Sequence, residues 1–195
     1  MNKKLTRIRL INWHYFVNET ISVNGSVLIS GENTSGKSTI LDAIQLVLTT
    51  NTKKFNIAAN EKSNRDLKGY VRCKTGNENA PYVRTGSVIT YVALEFYEEK
   101  EGRYFTIGVK IDSQDEESKL YENWFVEECK FESLQFLVGN RPSTNEEFLK
   151  DNNKVKFITD KKDIKNKISR RLGNLNYKFF DMIPKSLAFK PMDNV

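Results

Sequence analysis

A run of eight residues from Gly31 to Ser38 has the composition of a phosphate-binding loop. Its sequence, Gly-Glu-Asn-Thr-Ser-Gly-Lys-Ser, fits the pattern G-x-x-x-x-G-K-[ST]. In such a loop the backbone N–H groups turn toward a polyphosphate, beside the positive end of a helix dipole. Lys37 would reach the β- and γ-phosphates, and the Ser38 hydroxyl would bind Mg²⁺, which prefers oxygen ligands. The sequence therefore predicts a nucleoside triphosphate site, whose contact residues are Gly31, Asn33, Thr34, Ser35, Gly36, Lys37, Ser38 and Thr39.

This loop needs a strand before it and a helix after it. Val27 to Ile29 is a short apolar run that predicts the strand. The Asn24-Gly25 pair predicts a hairpin turn between Glu19–Val23 and Ser26–Ser30, because Asn-Gly tolerates the positive φ of tight turns. Thr39 to Leu48 has apolar residues at helical spacing, which predicts the helix.

The remaining chain predicts an α/β fold that contains an antiparallel β-meander. Alternating residues indicate a strand over Lys4–Ile11, which an aromatic turn over 12–16 follows. Four further stretches have the pattern of antiparallel strands, the first two joined by the turn at 99–102: Val88–Tyr97, Arg103–Ile111, Leu120–Glu128 and Phe131–Val138. Helices are predicted over Asn145–Lys150 and Lys161–Leu172. Asp160 is expected to cap the second helix and Gly173 to end it. Residues 49–85 show no clear pattern.

Composition excludes several classes of protein. The chain has 195 residues, 38% of them hydrophobic, and a net charge of +6. No apolar run reaches the roughly 20 residues of a membrane helix, and no signal core follows Met1. Cys73 and Cys129 have no metal or redox spacing, which favours reduced thiols and a cytoplasmic location. The basic charge is concentrated in 1–100 and 151–195; it suggests nucleic acid, but ordinary solubility explains it equally well.

Three segments resemble the N-terminal half of an SMC-type ABC ATPase head. They are Leu10–Phe16, Leu28–Asn33 and Ser35–Ile44, and in that family the phosphate-binding loop also lies near the chain start. The resemblance implies a P-loop NTPase lobe that binds ATP and Mg²⁺ and works on DNA. Two such heads would sandwich ATP and form a homodimer.

Further stretches are similar to the JetC family, SMC-like subunits of Wadjet plasmid-defence complexes related to the MukB and MksB condensins. They are Phe55–Asn60, Arg65–Arg72 and Phe179–Lys185. This similarity implies double-stranded DNA, a kleisin-like subunit, a winged-helix subunit and a nuclease subunit as partners. It also implies a cytoplasmic, nucleoid-associated location and a role in cleavage of foreign circular DNA.

The resemblance also implies roles for two groups of residues. Asn12, Trp13 and His14 would border the nucleotide, where an aromatic ring could stack on adenine. Alternatively, Trp13 and Phe16 belong to the core and His14 is a polar surface residue. Arg65, Lys68 and Arg72 fall in the arginine-bearing loop of such heads and would contact phosphates or DNA. The alternative is a solvated basic loop.

The chain departs from the family pattern at two places. Thr34 stands where the family usually has Gly, and no four apolar residues precede an Asp-Glu pair as in a Walker B strand. Val92–Glu95 is nearest to that pattern, but it falls inside the predicted meander.

We therefore expect one half-head over 1–195, without the coiled coil and the C-terminal lobe. It would comprise a P-loop core at about 1–50, a basic loop at about 51–85, the meander at about 86–140 and a helical part at about 141–195. Such a lobe would be an ATPase only when completed by the C-terminal lobe of the same polypeptide. Two alternatives are the head of a DNA-repair or chromosome-condensation ATPase and a non-hydrolytic DNA-binding module.

Overall fold

The computed structural model describes residues 2–23, 27–32, 35–53, 55, 66–150 and 156–174. Its centre is a five-stranded antiparallel sheet with the order β2-β1-β3-β4-β5. The strands are β1 (Lys3–Trp13), β2 (Phe16–Ser22), β3 (Val88–Glu98), β4 (Arg103–Ser113) and β5 (Tyr121–Glu127). Strands β1, β3, β4 and β5 confirm four of the predicted strands, and β3, β4 and β5 form the predicted antiparallel meander without its last predicted strand.

Both faces of the sheet are covered, because successive side chains of a strand point to opposite faces. In β3, Val92 and Leu94 face one core cluster, and Tyr91 and Ala93 face another. The first cluster contains apolar side chains of the helices α1 (Lys37–Thr49), α2 (Leu67–Arg72) and α4 (Lys161–Arg171). The second contains a 3₁₀ turn (Phe131–Ser133), the residues that follow it, and helix α3 (Asn145–Lys150).

The sequence identified three of the four helices in the described part of the chain. Helix α1 follows the predicted apolar stripe, with Ala43, Leu46 and Val47 buried. Helix α3 has the predicted bounds. Helix α4 begins after Asp160, whose side chain accepts from two backbone N–H groups, and it ends before Gly173 with φ 106°. Helix α2 was not predicted, although Asp66 caps it.

The predicted hairpin about Asn24-Gly25 is wrong, and so is the strand predicted over Val27 to Ile29 before the loop. Residues 24–26 lie outside the described residues, but residues 27–30 belong to no strand, and Leu28 is 88% exposed. β2 pairs instead with β1, through the turn at His14 and Tyr15. Asn12 and His14 adopt left-handed φ values of 52° and 51°, which reverse the chain earlier than the Asn-Gly signal indicates.

The predicted strand over Phe131–Val138 is also wrong. Phe131 begins the 3₁₀ turn, and only Leu137–Val138 form a short strand, β6, which pairs with β7 (Arg141–Pro142). Phe131, Leu134 and Phe136 are all buried against the same sheet face. Their spacing of three and two residues suits a turn better than the strict alternation of a strand.

The cysteines and the lengths of the helices bear on two of the classes that composition excludes. Cys73 and Cys129 are free, as the sequence predicted. Among the helices of the described residues, none is both long enough and apolar enough to cross a membrane.

Candidate functional site

The described residues of the phosphate-binding loop approach one another closely ahead of α1. The backbone N–H of Ser35 donates to the Glu32 carbonyl at 3.2 Å, and a Cβ on Gly31 would lie 2.7 Å from Ser35 Oγ. Gly36, immediately before α1, has φ 90°, a conformation that a side chain disfavours. A Cβ there would also lie 3.1 Å from Phe16 Cζ of β2. Two of the glycines of the motif are therefore required by close approach and by φ.

The side chain of Lys37 folds back over this loop. Its Nζ donates to the carbonyl oxygens of Gly31 and Glu32, each at 2.6 Å, and lies 3.4 Å from Ser35 Oγ. The ammonium group therefore lies within the curve of the loop, beside the start of α1. This is the position from which a lysine neutralises a phosphate bound by the same loop.

The N-terminus of α1 is open to an anion. Gly36 supplies no capping side chain, and the first turn contains no acidic residue. The first N–H groups of any helix have no partner within the helix, and they attract negative charge. The donor set of these groups and Lys37 suits a polyphosphate.

Ser38 and Thr39 occupy the second and third positions of α1. Ser38 is half-buried, and a Mg²⁺ contact by its hydroxyl stays a prediction. Thr39 is buried, and its carbonyl oxygen accepts from Trp13 Nε1 at 2.9 Å. Asn33 and Thr34 of the predicted set lie outside the described residues.

Trp13 supports the site from the core. It is fully buried and stacks on Tyr70 of α2, with ring centroids 4.5 Å apart and planes 6° apart. Because Tyr70 covers one face of this ring and the whole residue is buried, no face is open to adenine. Trp13 is therefore a core residue, as the alternative interpretation held, and its hydrogen bond to Thr39 links β1 to the start of α1.

Asn12 and His14 form the turn beside Trp13. Asn12 Nδ2 donates to the Ile89 carbonyl at 2.9 Å, which holds its side chain toward β3. The His14 backbone N–H donates to the Tyr70 carbonyl at 2.7 Å, and the His14 ring contacts the Tyr15 ring edge-on. These two residues therefore shape the β1–β2 turn, and a nucleotide contact by either of them stays a prediction.

Tyr70 and Asp42 are residues of this region whose connection sequence reasoning missed. The Tyr70 hydroxyl donates to the Asp42 carboxylate of α1, and both side chains are buried. Asp66 accepts from the Gly69 N–H and caps α2, which carries Tyr70. An Asp before a short apolar run is a local signal that could have revealed α2. Its partner on α1 is not visible in the sequence.

Arg84 is a second residue that the sequence did not single out. Its guanidinium donates to the carbonyl oxygens of His14 at 2.7 Å and Val71 at 3.3 Å. Burial lowers the Arg84 pKa from its ordinary value, and no carboxylate pairs with it in the described chain. It lines an open groove of about 680 Å³ next to the β1–β2 turn. Arg84 thereby ties this turn to the segment that follows α2.

Two of the basic residues predicted to contact phosphates or DNA, Arg72 and Lys68, are held by other parts of the domain. Arg72 is fully buried and donates to Ser113 Oγ at 2.9 Å and to the carbonyls of Arg84 and Gly86 at 3.0 and 2.8 Å. Its side chain therefore has no exposed surface for a phosphate. Lys68 donates to the Glu116 carbonyl at 2.7 Å, and Arg65 lies outside the described residues.

Glu95, the acid of the Walker B-like stretch, has a structural role. Burial raises its pKa, but hydrogen bonds from Arg7, the Phe131 N–H and Thr6 outweigh that effect and hold the pKa below its ordinary value. Its carboxylate joins β1, β3 and the 3₁₀ turn. It lies within the antiparallel meander, as the sequence predicted.

Comparison with known families agrees with the loop geometry. Residues 5–62 match a family model described as the P-loop containing region of AAA domain. This segment contains β1, β2, the loop and α1. No curated protein matches the chain. The match and the geometry support a P-loop NTPase that binds nucleotide.

Proposed function

We propose that this chain is the ATP- and Mg²⁺-binding lobe of an SMC-like motor ATPase that acts on DNA. The observation that carries the nucleotide part is the placement of Lys37 Nζ inside the curled loop, at the uncapped start of α1. The motor and DNA parts rest on the resemblance of the chain to SMC-type heads. Among these heads, the JetC-like resemblance favours anti-plasmid defence.

The residues of the loop have separate tasks in this proposal. The backbone N–H groups at the start of α1 hold the phosphate chain, and Lys37 exchanges its carbonyl partners for β- and γ-phosphate oxygens. The Ser38 hydroxyl binds Mg²⁺, which neutralises charge on the phosphates when bound. Trp13 and Tyr70 hold the start of α1 against the sheet, so the donors stay in place without ligand.

A second lobe is part of the proposal. Val27 and Leu28 precede the loop and are 52% and 88% exposed, which leaves two large apolar side chains uncovered beside the nucleotide site. A C-terminal lobe of the same polypeptide would cover them and supply the Walker B and signature motifs. The homodimer, the kleisin-like, winged-helix and nuclease subunits, and the nucleoid location rest on the resemblance alone.

Binding of labelled ATP with and without Mg²⁺ tests the nucleotide part. Lys37→Ala removes charge-assisted hydrogen bonds worth about 1.5–3 kcal/mol each, so we expect affinity to fall by about 100-fold. Ser38→Ala should lower affinity only when Mg²⁺ is present. Lys162→Ala, an exposed lysine in the first turn of α4, is the matched control and should bind like the wild type. Equal binding by wild type and Lys37→Ala would contradict the proposal.

A further inference from the structure

The outer surface of helix α4 carries an unbalanced positive charge. The helix sequence Lys-Lys-Asp-Ile-Lys-Asn-Lys-Ile-Ser-Arg-Arg contains six basic residues and one acid. Two of the six are paired with acids of the sheet region. Lys161 lies 3.2 Å from Glu122, and Arg171 lies 2.7 Å from Glu98. These two residues fasten the helix to the domain.

The other four basic residues of α4 point away from the core. Ile164 and Ile168 are fully buried, which fixes the inner side of the helix. With 100° of rotation per residue, the remaining basic residues flank and cover the outer side. We call this surface the α4 basic face; it consists of Lys162, Lys165, Lys167 and Arg170.

Within the described chain, none of the four residues of the α4 basic face forms an ion pair with a carboxylate at 4.0 Å or less. Of the four, Lys167 lies near an acid, Glu127. Burial raises the pKa of Glu127, and the positive charge of Lys167 partly opposes that rise. Exposed Lys156 precedes the helix, and exposed Lys53 follows Thr52, whose hydroxyl accepts from Lys161 Nζ at 3.1 Å. The positive surface therefore extends beyond the first turn.

A membrane, a protein or a nucleic acid backbone could supply the negative charge that the α4 basic face would bind. Its chemistry suits the nucleic acid backbone best. A membrane-surface helix needs exposed apolar residues, but both isoleucines of α4 are buried. Protein interfaces are enriched in aromatic residues and depleted in lysine. Binding to duplex DNA draws its affinity from lysine and arginine contacts to phosphates. An eleven-residue helix is about 16 Å long, a length over which a duplex presents about nine phosphates.

We propose that the α4 basic face binds the phosphate backbone of double-stranded DNA. This inference rests on the proposed function for the identity of the polyanion. It adds the location, which differs from the segment 65–72 that the sequence indicated. Arg72 of that segment is buried, whereas within the described chain the four side chains of the α4 basic face form no ion pair with a carboxylate at 4.0 Å or less.

Two triple variants test this location at equal net charge. The first, Lys162→Ala/Lys165→Ala/Arg170→Ala, removes three charges from the α4 basic face. The control, Lys100→Ala/Lys119→Ala/Lys150→Ala, removes three exposed lysines from other elements. Both lower the net charge by three, from +6 to +3. Binding of a short labelled duplex is measured by anisotropy across a salt series, with melting curves to verify that each variant is folded.

We expect the α4 triple variant to lose at least about tenfold in DNA affinity and the control to lose much less. The slope of log affinity against log salt should fall by about 2.7 for the α4 variant, at about 0.9 per lost phosphate contact. Equal losses in the two variants would overturn the location. Tighter binding of the wild type to phosphatidylcholine–phosphatidylserine vesicles than to the duplex would overturn the choice of DNA.

The same proteins separate this inference from the proposed function. The α4 triple variant should bind ATP like the wild type, because its changes lie outside the loop and α1. A wild type that binds ATP but no duplex would contradict the DNA part of the proposed function. A wild type that binds the duplex while the α4 triple variant binds equally well would contradict the location alone.

Discussion

The N-termini of α1 and α4 have opposite designs. Each begins with a basic residue, Lys37 in α1 and Lys161 in α4. Asp160 caps the N-terminus of α4, because its Oδ1 accepts from the backbone N–H groups of Lys162 at 2.8 Å and Asp163 at 2.9 Å. Helix α1 instead follows Gly36, with no capping side chain and no acid in its first turn.

This difference shows what a phosphate site requires of a helix. At a capped N-terminus, a side chain of the same protein accepts from the free backbone N–H groups, which stabilises the helix by about 1 kcal/mol. An uncapped N-terminus gives up that stabilisation but keeps its donors for an external anion. Other helices of the described chain also use caps. Asp66 accepts from Gly69 N in α2, and Thr144 and Glu147 hydrogen-bond reciprocally at the start of α3.

Placing an acid in α1 should produce the largest effect. Ser38→Asp gives the first turn of α1 the kind of carboxylate that Asp163 gives α4. We expect ATP affinity to fall by more than about 100-fold, because the carboxylate repels the phosphates and removes the hydroxyl. The free domain should gain about 0.3–1 kcal/mol from the helix dipole. Titration calorimetry and denaturant unfolding measure the two effects, and a parallel fall in both would contradict this reasoning.

Glycine substitutions at the two helices should differ in what they affect. Gly36→Ala forces a side chain to φ 90° with its Cβ 3.1 Å from Phe16 Cζ, and Gly173→Ala forces one to φ 106° with no atom within 4 Å. Each should destabilise the domain by about 1–2 kcal/mol through backbone strain. Only Gly36→Ala should also weaken ATP binding, by about tenfold, since it displaces the loop. Similar ATP affinities in the two variants would argue against a role for the curled loop.

Removal of the α4 cap should have the smallest effect. Asp160→Ala breaks two hydrogen bonds to backbone N–H groups, and we expect the free energy of unfolding to fall by about 1 kcal/mol. Asp160→Asn, whose amide oxygen still accepts, should retain most of the stability. Neither change should alter ATP affinity. Thermal unfolding with and without Mg·ATP measures the stability of the domain and its stabilisation by ATP. A loss of the ATP-induced stabilisation in Asp160→Ala would contradict the assignment of the phosphate site to α1 alone.

Features that depend on neighbours in sequence could be predicted. Asp160 and Gly173 were identified because caps act within one turn of the helix they bound. The motif at Gly31–Ser38 and the stripe that forms α1 are equally local. The strands β3, β4 and β5 follow one another along the chain, and the turn at 99–102 between the first two is a local signal as well.

Features that depend on distant residues could not be predicted. The Asn24-Gly25 signal was outweighed by the left-handed residues Asn12 and His14, which direct β2 onto the edge of β1. Trp13 is a core residue because Tyr70, far along the chain, covers its ring. The basic charge of Arg72 is evident from the sequence, but its burial against Ser113 of β4 depends on the completed fold.

The most direct test of the phosphate site is an amide-resolved NMR titration of the protein with Mg·ATP. A phosphate site at the start of α1 predicts large, saturable shifts for the backbone N–H groups of Gly36, Lys37, Ser38 and Thr39. The N–H groups of Lys162 and Asp163 in α4, held by Asp160, should remain unchanged. Saturable ATP binding that leaves the α1 amides unshifted, or that shifts both helix starts equally, would contradict it.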